Sequence, residues 1–307
     1  MIEGNRVRPL EDDDAPGLVR IASEGLTVAI NPFGAELWSL TDAEGREYMT
    51  DADPAFWSGR APVLFPIVGA LAEDRLRLDG KDYTLPKHGF ARRSAFAPVE
   101  VAAAHARFRL TDSPDTRAAY PFGFVLDLLF RVEGMTLCME ASVFNPNPVD
   151  LPFSFGFHPA FAWPLPGGAD KAAHRLVFDR PEPQPIRRID KASGLLLPDG
   201  APTPVQGRDV ALDADLFRAD AVIWTDLASR AASYGADGGA WLDVAFPDMH
   251  MFGLWQVPGA RYICLEPWAG HSDPLGFDGD FREKPGVVLL PPGETARFRM
   301  DVTVRPA

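Results

Sequence analysis

Thr295-Ala296-Arg297-Phe298-Arg299-Met300-Asp301-Val302-Thr303-Val304 alternates polar and apolar side chains almost residue by residue. That is the period of a half-buried β-strand, whose successive side chains point to opposite faces of a sheet. The same reading extends outward to Leu18 to Ile21, Leu26 to Ile30, Ala35 to Leu40, Val99 to Leu110, Val125 to Val132, Thr136 to Asn145, Arg175 to Phe178, Trp241 to Phe246, Met251 to Gln256 and Tyr262 to Glu266. The 30 prolines and 27 glycines interrupt the chain too often for long helices. Gly25, Pro32-Phe33-Gly34 and Gly238-Gly239 supply turns. Short helical pieces are expected only near Pro54 to Trp57 and Asp213 to Phe217. The fold class is therefore all-β, a large single-domain β-sandwich with very few short helices.

Residues 1–17 are expected to be a flexible acidic tail, carrying Glu11-Asp12-Asp13-Asp14, with one sandwich domain over 18–307. The proline-rich stretch from Pro181 to Pro204 reads as a long loop within that domain, because strand-like segments flank it. With 46% hydrophobic and 24% charged residues, the 307-residue chain can bury a sizeable core. A net charge of −13 argues against nucleic acid or anionic membrane as partner, while leaving room for a local basic pocket. Cys138 and Cys264 sit in apolar runs and read as buried small hydrophobes rather than a disulfide or nucleophile. The N-terminal residues do not read as a signal peptide, and no apolar run approaches membrane-span length. A cytoplasmic protein is the expectation, and the oligomeric state is left open.

Four segments carry candidate chemistry. Arg60, before the Pro62 to Pro66 run, offers a planar fork of donors to hydroxyls or a phosphate, or is a surface arginine. Pro86-Lys87-His88-Gly89-Phe90-Ala91-Arg92 places three cationic or titratable groups within six residues. His158 lies among aromatics in Phe155-Gly156-Phe157-His158-Pro159-Ala160-Phe161, where rings could stack on a sugar. Glu266 ends an apolar strand beside Pro267 and Trp268, where partial desolvation would raise its pKa. A carboxylate and an imidazole suit anomer exchange: one takes the C1 hydroxyl proton while the other protonates the ring oxygen. An unperturbed histidine, with a pKa near 6.5, is roughly one quarter protonated at neutral pH and can do either. That chemistry needs no metal and no cofactor.

These segments, with Gly34-Ala35-Glu36-Leu37-Trp38-Ser39-Leu40 and Leu265-Glu266-Pro267-Trp268-Ala269-Gly270, appear in an order that resembles the aldose 1-epimerase (galactose mutarotase) superfamily, within its bacterial LacX-like branch. The resemblance covers nearly the whole chain and implies a β-supersandwich. It implies Glu266 as general base and His158 as general acid. It also implies Arg60, His88 and Arg92 as sugar-holding residues, and Asp220, with Asp226 as the alternative, as the hydroxyl-binding carboxylate. His158 and Glu266 are expected to face each other about one pyranose width apart. Two departures stand out. Phe157 replaces a common glycine and would narrow the pocket, and Lys87 stands where some hexose 6-phosphate relatives have glutamine. The implied ligand is a free sugar or a sugar phosphate. A hexose 6-phosphate epimerase, a non-catalytic sugar sensor and a glycoside-cleaving enzyme are the competing readings. The last normally needs a second carboxylate.

Overall fold

The computed structural model describes residues 17–307. The expected acidic tail lies, apart from Gly17, outside the described residues. The largest sheet is antiparallel and nine-stranded. Its order is Asp209–Ala211, Arg175–Phe178, Ala231–Gly235, Trp241–Ala245, Thr295–Arg305, Thr136–Phe144, Val125–Glu133, His105–Thr111 and Ala97–Val101. Thr295–Arg305 sits near its middle, with Phe298, Met300, Val302 and Val304 buried and the residues between them more exposed. The alternation predicted for this stretch therefore marks its buried and solvent faces.

A six-stranded sheet packs on the inner face. It runs Val222–Trp224, Met251–Trp255, Tyr262–Ala269, Phe155–Phe157 and Val63–Leu64, and Ala160–Ala162 also pairs with Tyr262–Ala269. Aromatic rings join the layers: Phe155 stacks on Phe298 at 5.1 Å, and Phe178 meets Trp224 at 5.3 Å and Phe252 at 5.8 Å. Every residue of Tyr262–Ala269 is buried, because this strand has covers on both faces. A three-stranded N-terminal sheet, Val19–Ala22, Leu26–Asn31 and Glu36–Asp42, adds its apolar face to the same core. The fold is an all-β sandwich, as expected from the strand periodicity.

Three local expectations are corrected. Pro54 to Trp57 makes one turn around the Asp53 carbonyl, which accepts from Phe56 N and Trp57 N, and does not propagate into a helix. The single expected strand from Val99 to Leu110 is a hairpin of Ala97–Val101 and His105–Thr111. It turns at Ala102-Ala103-Ala104, where no glycine or proline signals a break. The one α-helix among the described residues, Pro114–Ala119, was not anticipated, although Ser113-Pro114-Asp115-Thr116 carries a capping box and a proline in the first turn. Asp213 to Phe217 does form a short helical turn, a 3-10 piece at Asp215–Phe217.

Candidate active site

Glu266 lies within the central strand Tyr262–Ala269, and His158 follows Phe155–Phe157 on the adjoining strand path. The two segments run antiparallel, with Gly156 opposite Trp268 and Ala160 opposite Cys264. This register brings His158 Nε2 to 3.2 Å from Glu266 Oε2. The expectation of a pyranose-wide gap is thus corrected. Both reacting oxygens of an aldose are bonded to C1, so the groups serving them can sit side by side.

The pair borders a cavity of about 200 Å³, also lined by Trp57, Lys87, His88, Arg92, Asp220, Trp255, Trp268 and Ser272. Such a volume is below the roughly 300–1,000 Å³ of drug-sized sites and matches one monosaccharide ring. Trp57 and Trp255 meet edge to face at 5.5 Å, and both pack on the His158 ring, at 5.2 and 5.9 Å. Trp268 lies over two glycines on neighbouring strands. A Cβ on Gly156 would come within 2.4 Å of its ring, and one on Gly253 equally close.

Burial governs the electrostatics. It raises the Glu266 carboxyl well above the usual carboxylate range, with Lys87 opposing and Asp220 reinforcing the shift. It lowers the His158 imidazolium to about 3, with the nearby Lys87 and Arg92 charges adding to the effect. The expectation of an unperturbed histidine is therefore corrected. In the absence of sugar both shifts favour the uncharged forms.

His88 adopts a left-handed backbone conformation, φ 68°. Its N–H donates to Gly69 O at 2.8 Å, and its Nδ1 accepts from Gly69 N at 3.1 Å. An accepting Nδ1 places the ring proton on Nε2, as a donor for the cavity. Burial holds this imidazole well below the ordinary histidine value, and the neighbouring basic side chains of His158, Lys87 and Arg92 push it the same way. Gly69 is itself pressed against Ser272, whose Oγ accepts from Ala70 N at 3.1 Å.

Asp220 is also left-handed, φ 68°, and its Oδ1 accepts from Ala221 N at 2.7 Å. Arg188, from the proline-rich loop, holds this turn. Its Nη1 donates to Asp220 O at 2.8 Å and Ala221 O at 3.0 Å, and its Nη2 to Leu216 O at 3.1 Å. Asp226 is exposed and lies outside the cavity lining.

Five of the six residues singled out in the sequence thus border one cavity. Arg60 does not. Its Nη1 donates to Trp38 O at 3.2 Å and Thr50 O at 2.9 Å, and its guanidinium stacks over the Trp38 ring at 4.6 Å. Two backbone carbonyls hold Nη1, and the Trp38 ring covers the guanidinium. Phe157 does not narrow the cavity either. It belongs to the main hydrophobic core, because neighbours along an extended chain face opposite ways. Sequence reading missed Trp57, Trp255 and Ile189 as wall residues. They come from a turn, another strand and the long loop, and no local pattern links them.

Within the cavity lining, Arg92 Nε is buried without a hydrogen-bond partner. An orphaned buried donor is costly, so an oxygen-rich ligand complements it. No helix among the described residues is long and apolar enough to cross a membrane.

A family profile described as Aldose 1-epimerase matches residues 17–303. The chromosomal Protein LacX of Lactococcus lactis is 31% identical over 295 residues, covering 93% of this chain and 99% of LacX. The galactose mutarotase related enzyme of Lactobacillus acidophilus superposes with a TM-score of 0.86 at 32% identity, covering 94% of this chain and 97% of the other. A galactose mutarotase-like protein of Lactobacillus casei superposes with a TM-score of 0.85 at 25% identity, covering 94% and 100%.

Proposed function

The chain belongs to the aldose 1-epimerase family, and on that premise we propose that it interconverts the α and β anomers of a free aldohexose by opening and reclosing the sugar ring. The observation that carries this reading is the buried 3.2 Å contact of His158 with Glu266 at the edge of a monosaccharide-sized cavity. The Glu266 carboxylate takes the proton of the C1 hydroxyl. The O–H electron pair becomes the second C–O bond of the aldehyde, the bond from C1 to the ring oxygen breaks, and that oxygen takes the His158 proton. The C1–C2 bond then rotates. On reclosure the ring hydroxyl attacks the other face of the aldehyde and returns its proton to His158, while Glu266 protonates the former carbonyl oxygen.

The pair carries one proton throughout. The ionic form accompanies the ring and the neutral form accompanies the open chain, so burial stabilises the form that ring opening produces. Sugar hydroxyls supply hydrogen bonds to the ionic form. C1 remains at the oxidation level of an aldehyde, so no redox group is called for. His88 Nε2–H, Arg92 and Asp220 hold oxygens, and Trp57 and Trp255 offer apolar faces to the ring. Two buried free cysteines suit a reducing cytoplasm.

A second reading, a hexose 6-phosphate as substrate, is favoured by Lys87 and Arg92 bordering the same cavity. Polarimetry or NMR saturation exchange on galactose, glucose and glucose 6-phosphate tests both. Catalysed exchange of the free sugars supports the first reading, and a strong preference for the phosphate supports the second. No exchange with any aldose overturns both.

A further inference from the structure

Cys264 lies two residues before Glu266 on the strand Tyr262–Ala269. Alternate residues of a strand point to one face, so the thiol shares the carboxyl's side of the sheet. His158 approaches the same spot from the adjoining segment, where Leu265 N donates to Pro159 O at 3.2 Å. An imidazole nitrogen, the thiol sulfur and a carboxylate oxygen all lie within 4.8 Å of one another. All three side chains are buried, and Cys264 is a free thiol. The sugar chemistry employs the imidazole and the carboxyl and leaves the thiol without a task.

We propose that His158, Cys264 and Glu266 bind a thiophilic divalent cation, Zn²⁺ foremost, which occupies the site in competition with sugar and is not a cofactor of anomer exchange. One nitrogen, one sulfur and one oxygen form a donor set for Zn²⁺, whereas Mg²⁺ and Ca²⁺ take oxygen ligands. Three protein ligands leave a fourth tetrahedral position open, and two of them, His158 and Glu266, line the sugar cavity. Zinc bonds of roughly 2.0–2.3 Å set the edges between ligands at roughly 3.3–3.8 Å. The His158–Glu266 edge, at 3.2 Å, is already near this length. The Cys264 sulfur completes the set within 4.8 Å of both other ligand atoms.

Charge points the same way. Binding displaces to solvent the thiol proton and any proton held by the carboxyl or imidazole. Thiolate, carboxylate and neutral imidazole then cancel the two charges of the ion. A neutral cluster suits the apolar shell of Trp57 and Trp255. Lys87 and Arg92, which border the cavity, repel a bare cation but not a neutralised one. The site rests on ligand geometry and stands independently of the sugar reading.

Co²⁺ is the probe. Titrated into the full-length protein, it should produce thiolate-to-Co²⁺ charge-transfer absorbance in the near ultraviolet and the strong visible bands of a tetrahedral ion, and Zn²⁺ should bleach both. Cys264→Ser should abolish the near-ultraviolet band and weaken Co²⁺ binding at least about tenfold. Cys138→Ser should leave the spectrum unchanged. The chain has two cysteines, so an unchanged Cys138→Ser spectrum assigns the band to Cys264 even if Cys264→Ser fails to fold. A wild-type protein without the band, a band that survives in Cys264→Ser, or its loss in folded Cys138→Ser overturns the proposal. In anomerisation assays Zn²⁺ should raise KM and leave kcat unchanged, and a fall in kcat alone overturns the competitive placement. A protein that shows the band yet exchanges no anomers keeps the metal site and sinks only the sugar reading.

Discussion

His158 Nε2 and Glu266 Oε2 meet at 3.2 Å, in residues only 8% and 2% exposed. In the proposed mechanism the two work in one proton-transfer cycle, so removing either partner interrupts it. Glu266→Gln and His158→Asn should each lower kcat by about 10²- to 10⁴-fold. The double variant should lose less than the product of the single losses. Polarimetry on freshly dissolved α-anomer, in preparations free of host mutarotase, measures this. Near wild-type turnover in Glu266→Gln would refute the mechanism.

The pH dependence follows from the directions of the two shifts. The active pair holds one proton. On the acid side it gains a second when His158 protonates, at about 3. On the alkaline side it loses its only proton through the raised Glu266 carboxyl. The profile of kcat/KM, which reports the free enzyme, should therefore stay flat through weak acid and fall near pH 3. Its alkaline limb should lie well above 4.5, the ordinary glutamate value. An acid limb centred on 6.5, the ordinary histidine value, would contradict this.

Asp220 borders the cavity and Asp226 does not. Asp220→Asn should raise KM roughly ten- to hundredfold, since a hydrogen bond to a charged group is worth about 1.5–3 kcal/mol. Asp226→Asn should leave KM unchanged. Arg188→Met should also raise KM with little change in kcat, because it releases the carbonyls of Leu216, Asp220 and Ala221 that set the aspartate's turn. Equal KM effects from the two aspartates would remove Asp220 from the site.

Arg60→Met should lower Tm and leave KM within about twofold. It removes donors from two backbone carbonyls and none from the cavity. Unsatisfied buried polar groups cost about 1–3 kcal/mol each. A large rise in KM at unchanged Tm would return Arg60 to the sugar.

Gly69→Ala would place a Cβ 2.0 Å from Ser272 Oγ at a φ of 76°. The backbone strain alone costs about 1–3 kcal/mol, so Tm should drop by several degrees. Activity should fall as well, because Gly69 N holds His88 Nδ1 as an acceptor. Thermal melts and polarimetry on one preparation check both, and an unchanged Tm would contradict the packing.

Much of the fold was legible locally. Thr295 to Val304 and Thr136 to Asn145 declare themselves by alternation, and the glycines and prolines mark their ends. The Val99 to Leu110 error has a clear cause: Ala102-Ala103-Ala104 carries no turn chemistry, and the hairpin is imposed by its partner strands. The helix at Pro114–Ala119 is marked locally by its cap, with Ser113 accepting from Thr116 N and Pro114 in the first turn. His88, Arg92, His158, Asp220 and Glu266 were nameable because their segments are chemically distinctive and resemble a family in order. Arg60 was misplaced because its long, rotatable stem reaches in any direction from a known Cα, and the carbonyls that capture it lie on other segments.

The order of the amino acids alone specifies layered β-structure, because side-chain alternation is a property of neighbouring residues. It also determined which residue types were available for proton transfer. Folding brings an imidazole and a carboxyl from distant segments into contact, shields both from water and sets a thiol beside them. Those are matters of register between strands and of shielding from water. Both are set by long-range packing of the two sheets, and no local stretch of chain encodes them.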